Sequence, residues 1–219
     1  METDNLTQQE FRGWVQWHRS YDDPTSSLSR RLLVVQDFLR RAIDDRPGPL
    51  RIISMCAGEG RDVVGVLAKH PRRDEISARL VELDLTNIAF AEAAVHAAGL
   101  ERVEVAQGDA ATTDSYTGAV PADIVLACGV FGNITDDDVR RTVEHLSCLC
   151  APGATVLWTR GRERHRDAAL MIREWFLASG FEEIAFAAPD DDRFRVGMYR
   201  LVARPRAFEP GVRLFTFLR

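Results

Sequence analysis

The chain has 219 residues and a mass of 24.6 kDa, room for one α/β domain with a substantial core and not for two. Hydrophobic residues make up 46% and charged residues 28%, which excludes disordered and fibrous classes, and no apolar run approaches the roughly 18–20 residues of a membrane span. The 28 basic and 33 acidic residues leave a net charge of −5 and a pI near 5.6, a balance that argues against a nucleic-acid partner.

The first residues, Met1-Glu2-Thr3-Asp4, are acidic where a secretory signal carries base, and no apolar stretch follows, so the expected location is the cytoplasm. Cysteine usage agrees with a reducing compartment. Cys56 and Cys128 fall in apolar, strand-like runs, where a thiol behaves as a small hydrophobe. Cys148 and Cys150 lack histidines at ligand spacing, so no metal site is expected.

Residues 1–49 form a helical segment distinct from the rest. Phe11, Trp14, Trp17 and Tyr21 lay an aromatic stripe along one helical face, ended by Asp22-Asp23-Pro24. The stripe has two readings: an amphipathic helix packed on the core, or a lid whose aromatic faces attract a cation. A second helix carries Leu28, Leu32, Val35, Leu39 and Ala42 on one face and stops before the hinge Arg46-Pro47-Gly48-Pro49.

From residue 50 to 219 strands alternate with helices. The pattern predicts a strand over 50–56, a helix over 60–69, a strand over 76–83 and a helix over 86–98 closed by Gly99. Strands follow over 102–106 and 122–128, then a helix capped by Thr135, with Asp136, Asp137 and Asp138 complementing its dipole. Pro152-Gly153 turns into a strand over 154–159, a helix over 167–179 ends at Gly180, and strands over 181–187 and 194–203 close the pattern. This alternation predicts a doubly wound, mostly parallel sheet with helices on both faces. The connection between the last two strands is too short for a parallel crossover, so the final strand runs antiparallel. The tail, 209–219, shows no period and has no predicted place.

In an open sheet of this kind, ligands bind outside the carboxyl ends of the strands. That rule makes loops 57–61, 84–86, 107–111, 129–134 and 160–166 the functional edge, and the returning loops silent. The first functional loop, Cys56-Ala57-Gly58-Glu59-Gly60, is a run of small residues between a strand and a helix, where a ligand can approach the backbone. A dinucleotide fingerprint would place a third glycine where this chain has Val63, which counts against a dehydrogenase. The second loop supplies Asp84, 24 positions after Gly60 and at the usual spacing for an acid that grips ribose hydroxyls. Glu82, on the same strand face, is its rival, and helix capping is the alternative role for Asp84. In Gln107-Gly108-Asp109-Ala110, the aspartate can accept from an adenine amino group. In Ala127-Cys128-Gly129, small residues recur, with room above them for the middle of a bound cofactor.

Taken in order, these features resemble the class I S-adenosylmethionine-dependent methyltransferase family. That family has a glycine-rich turn after strand one, an acid ending strand two, Gly-Asp-Ala after strand three and a small-residue strand four. The Pro152-Gly153 turn before strand five and the antiparallel last strand also match. The resemblance covers residues 50–204 and implies a seven-stranded sheet of order 3-2-1-4-5-7-6. It implies that the backbone of Cys56, Ala57 and Gly58, in the turn closed by Gly60, lines the methionine portion. It further implies that Asp84 and Leu85 hold ribose and adenine, that Asp109 and Ala110 flank the adenine, and that Cys128 and Gly129 lie beneath. Two positions depart from the family pattern: Ser54 stands in place of an acid, and Cys56 in place of the first glycine. An Asn-Pro-Pro-Tyr tetrad is absent after strand four, which disfavours methylation of nucleic-acid base amino groups.

The expected function is therefore S-adenosylmethionine-dependent methyl transfer to a small-molecule acceptor, without nucleic acid or membrane. The alternatives are an NAD(P) oxidoreductase and a non-catalytic S-adenosylmethionine-binding protein. His18, Tyr21 and His165 are the candidate bases, because His70 lies on the silent edge and His96 and His145 fall beside the apolar faces of their helices. Arg160, Arg162, Arg164 and Arg166 form either a solvated loop or a contact for an acidic substrate.

Overall fold

The computed structural model describes Tyr21, residues 23–162 and residues 167–218. Phe11, Trp14, Trp17, His18, Arg164, His165 and Arg166 lie outside the described residues. Helix α1 (Ser27–Asp44) starts at Ser26, whose Oγ accepts from Ser29 N at 3.0 Å. Val35, Phe38, Leu39, Ala42 and Ile43 are buried along one side, whereas Leu28 and Leu32, expected on that face, are only half-buried. Packing of this apolar face is the main source of its stability: each fully buried Leu or Ile contributes about 1.5–3 kcal/mol.

The remaining elements follow in the predicted order: β1 (Leu50–Met55), α2 (Arg61–Leu67), β2 (Ile76–Glu82), α3 (Leu85–Ala97), β3 (Val103–Gln107), β4 (Ala122–Ala127), α4 (Asp136–Leu146), β5 (Cys150–Gly161), α5 (Ala169–Ala178), β6 (Phe181–Ala187) and β7 (Phe194–Leu201). They build a seven-stranded sheet of order β3-β2-β1-β4-β5-β7-β6, with β7 antiparallel to both neighbours, as expected. Thr135 caps α4 by accepting from Asp138 N.

Alternation along the strands divides the core in two. Ile52, Ile124, Leu126 and Leu157 face one side, where α1 and α2 supply Leu39, Ile43, Val63 and Leu67. Ile53, Met55, Val125, Val156 and Trp158 face the other, against Val139 and Val143 of α4 and Ile172 and Phe176 of α5. Trp158 is fully buried and stacks on Phe176 with ring centroids 6.1 Å apart. Its partner across the antiparallel ladder is Gly197, where an added Cβ would lie 2.4 Å from the indole nitrogen. Only glycine leaves room for that ring.

One expectation about the second half needs correction, and one unplaced segment finds its position. Pro152-Gly153 does not precede β5 but lies inside it. Cys150 pairs with Ala122, and Thr155 with Ile124, so the extra residues of β5 loop out as a bulge around Gly153. The unplaced tail is firmly packed. Leu214 and Phe215 are fully buried, Arg213 bridges Thr112, and Phe217 bridges Ile134.

Helix α1 crosses the sheet from edge to edge. Near its C-terminal end, Arg46 donates to Asp123 Oδ1 at 2.9 Å, beside the start of β4 on the silent edge. At its N-terminal end, Ser27 and Arg30 both donate to Asp192, in the β6–β7 loop on the functional edge. Among the described residues, no helix is long and apolar enough to cross a membrane.

Candidate functional site

The first loop turns through three left-handed residues in alternation: Cys56 (φ +50°), Gly58 (φ +56°) and Gly60 (φ +70°). Among the described residues, Cys56 is the one non-glycine with positive φ, so it occupies a backbone conformation that favours glycine. At Gly60 an added Cβ would lie 2.9 Å from Leu80 Cδ1, so this turn must lie tight on β2. Ala57 N donates to Val81 O at 2.9 Å and fixes the loop above the end of that strand.

The two acids after β2 have different partners. Glu82 Oε2 accepts from Gly58 N at 2.7 Å, while its Oε1 accepts from Leu83 N and Asp84 N, both at 3.0 Å. Glu82 is thus the brace between the first and second loops. Asp84 caps α3: its Oδ1 accepts from Thr86 N at 2.8 Å and Asn87 N at 3.0 Å. Its Oδ2 receives no hydrogen bond from the described residues, and the side chain is exposed, as is Leu85 beside it. Asp84 therefore caps α3 with one oxygen and leaves the other without a hydrogen bond from the described residues.

The third loop holds Asp109 at two points. Oδ1 accepts from Ala111 N at 2.9 Å, and Oδ2 accepts from Arg213 Nη2 at 3.2 Å. Ala110 is buried, and its carbonyl accepts from Tyr116 Oη at 2.6 Å. Burial pushes the Cys56 thiol pKa far up, and the nearby carboxylates of Glu82 and Asp109 add to the shift. Cys56 therefore stays a neutral thiol where the first three loops converge. In the fourth loop, Gly129 (φ +76°) donates its N–H to Thr159 Oγ1 at 2.9 Å, and Asn133 Nδ2 donates back to Gly129 O at 2.7 Å. Burial raises the Cys128 thiol as well, and the charge of Asp62 adds to it.

A second polar group forms where α1 meets α2. Arg31 Nη2 donates to Tyr21 Oη at 3.4 Å, and the Arg61 guanidinium lies 5.0 Å from the centroid of the Tyr21 ring. Asp62, 9% exposed, accepts from Val63 N at 2.7 Å. Burial raises its pKa above the usual carboxylate value, opposed by the backbone N–H groups of Val63 and Asp62 and, to a smaller extent, by Arg31. Burial likewise raises the Tyr21 phenol, so Tyr21 is a hydrogen-bond donor at neutral pH rather than a phenolate. Of the three candidate bases, Tyr21 alone is among the described residues. Asp62, Arg31, Thr159 and Arg213 had no predicted role. Asp62 stands just beyond the glycine turn and could have been found from that position, whereas nothing in the sequence links Arg213 to Asp109, 104 positions away.

The sequence matches a family described as "Putative methyltransferase" over residues 27–174. No curated protein matches it in sequence. Solved structures share the fold. An O-methyltransferase family protein from Burkholderia thailandensis aligns with a TM-score of 0.61 at 17% identity, over 87% of this chain and 64% of that one. The mitomycin 7-O-methyltransferase MmcR aligns at 0.54 and 20% identity, over 84% and 60%. An RNA methyltransferase from Salinibacter ruber, in complex with S-adenosyl-L-homocysteine, aligns at 0.52 and 17% identity, over 80% and 95%. The chain thus spans less than two thirds of the length of the first two, 64% and 60%.

Proposed function

This chain belongs to the methyltransferase family that it matches over residues 27–174, and its fold is the class I S-adenosylmethionine-dependent one; on that premise we propose that it transfers a methyl group from S-adenosylmethionine to a small-molecule acceptor. The observation that carries the proposal is the convergence of three loops on the carboxyl edge of the sheet. The left-handed turn Cys56–Gly60 opens the backbone, Asp84 presents Oδ2, and Asp109 with Ala110 closes the far side. In this reading Cys56, Ala57, Gly58 and Gly60 line the methionine portion, and Asp84 accepts from the ribose hydroxyls. Leu85, Asp109 and Ala110 surround the adenine, over Cys128 and Gly129. Glu82, the rival acid, braces the first two loops through three backbone N–H groups, so the ribose role is assigned to Asp84 and tested against Glu82 by substitution.

S-adenosylmethionine, when bound, supplies an electrophilic methyl group on a sulfonium. The protein's part is alignment and exclusion of water, and positioning of that kind contributes up to about 7–11 kcal/mol of a barrier. Tyr21 would orient the acceptor as a donor, with His18 and His165 as candidate bases. Residues 1–49 would form the lid, a role supported by the contacts of Tyr21 with Arg31 and Arg61 at the functional edge. A small-molecule acceptor agrees with the name of one structural neighbour, the mitomycin 7-O-methyltransferase, and the net charge of −5 disfavours nucleic acid. The four free thiols support a cytoplasmic location.

Val63, fully buried beside α1, fills the place of the third glycine of a dinucleotide turn, which disfavours an oxidoreductase. Thermal melting decides between the cofactors. S-adenosylhomocysteine is expected to raise the melting temperature by mass action, and NAD or NADP at equal concentration to leave it unchanged. A shift with NADP alone would overturn the methyltransferase proposal.

A further inference from the structure

The tail, residues 209–218, lies beyond the span that the family match covers, yet it is stitched to the functional edge. Thr113 N donates to Val212 O at 3.0 Å, and Val212 N donates to Thr113 Oγ1 at 3.0 Å. Leu214 N donates to Ala111 O at 2.7 Å. Further on, Thr216 N donates to Asp138 Oδ2 and Leu218 N to Asn133 O, both at 3.0 Å. Asn133 in turn holds the Gly129 carbonyl. The tail therefore runs from the loop after β3 to the loop after β4. Leu214 and Phe215 anchor it in the core, while Phe217 and Leu218 remain 41% and 62% exposed along that edge.

Arg213 leaves this segment to meet Asp109. With Oδ1 bound to Ala111 N and Oδ2 to Arg213, the carboxylate is held from two sides and cannot turn about its Cβ–Cγ bond without losing a contact. Each oxygen keeps a lone pair. From this geometry we propose that Arg213 is a positioning residue which, through Asp109, sets the preference of the site for the 6-amino group of adenine, and that residues 212–218 form one wall of the adenine subsite. The proposal rests on the cofactor assignment made above and adds an element outside the matched family region. A carboxylate fixed as an acceptor rewards an amino group and gives nothing to a base that lacks one. A carboxylate free to rotate satisfies itself with water and discriminates less.

The test compares the binding of S-adenosylhomocysteine with that of its analogue bearing purine in place of adenine, by titration calorimetry on the full chain. The wild type is expected to prefer the amino-bearing ligand by about tenfold or more, the worth of one hydrogen bond to a charged group. Arg213→Met keeps the stem and removes the guanidinium. The variant also loses the donation from Arg213 Nη1 to Phe215 O at 3.5 Å, so a melting curve checks that Leu214 and Phe215 stay seated. In Arg213→Met the preference should shrink to about threefold or less, Arg213→Lys should restore most of it, and Asp109→Ala should abolish it to the same extent with or without Arg213→Met. Equal losses for both ligands in Arg213→Met would make Arg213 a structural residue only and overturn the proposal. A wild type that binds both ligands equally would overturn it too, while leaving the cofactor assignment standing. A wild type that binds neither would overturn both.

Discussion

Asp84 caps α3 through one oxygen and, in the proposed function, accepts from ribose through the other; its two simplest variants separate these tasks. Oδ1 caps α3 through Thr86 N and Asn87 N, whereas Oδ2 receives no hydrogen bond from the described residues. Asp84→Asn retains an acceptor for the cap, and asparagine caps as well as aspartate, so melting should move by no more than about 1 °C. It removes the charge and replaces the other oxygen with an amide that cannot accept from a ribose hydroxyl. A hydrogen bond to a charged group is worth about 1.5–3 kcal/mol, so S-adenosylhomocysteine affinity should fall at least about tenfold. Asp84→Ala loses both tasks. Its affinity falls similarly, and loss of the cap removes about 1 kcal/mol, or roughly 2–4 °C for a domain of this size. Calorimetry and melting curves on both variants give the two readouts independently. Unchanged affinity in Asp84→Asn would refute the assignment, and if Glu82→Ala then abolished binding, Glu82 would be the ribose acid.

Asp62→Asn tests the buried carboxyl beside the glycine turn. Its raised pKa means that native Asp62 contributes stability below the ordinary carboxylate value of about 3.9 and loses it as pH rises through the folded value. The asparagine variant should therefore be more stable than wild type at pH 7, with the gap closing toward pH 4 in urea titrations; a gap independent of pH would refute it. For the lid, S-adenosylhomocysteine should slow hydrogen exchange at residues 23–31 together with 56–60, whereas protection confined to the sheet loops would leave the N-terminal segment as packing alone.

The sheet order was legible because each strand–helix unit carries its own punctuation, and the ordered loops resemble one family. The cap at Thr135, the antiparallel β7 and the loop positions of Cys56, Asp84 and Asp109 follow from local signals of that kind. The bulge at Pro152-Gly153 was not legible, because a proline-glycine pair marks a turn equally well inside a strand or before it. The tail was missed for a different reason. Leu214 and Phe215 insert as a single buried pair without a repeating pattern, and the Arg213–Asp109 pair joins residues far apart in sequence. Asp84 shows how two readings of one residue, cap and ligand, can both be compatible with its geometry.

The brace at Glu82 bears on the kinetics of exchange. One carboxylate gathers N–H groups from Gly58, Leu83 and Asp84, so the first two loops move together or not at all. Their ordering entropy is incurred when the chain folds, not when a ligand arrives. A seat already assembled accepts a ligand without waiting for its floor to form. Under the proposed function, release of spent cofactor would then depend on whatever lies across the mouth of the site rather than on the loops beneath it.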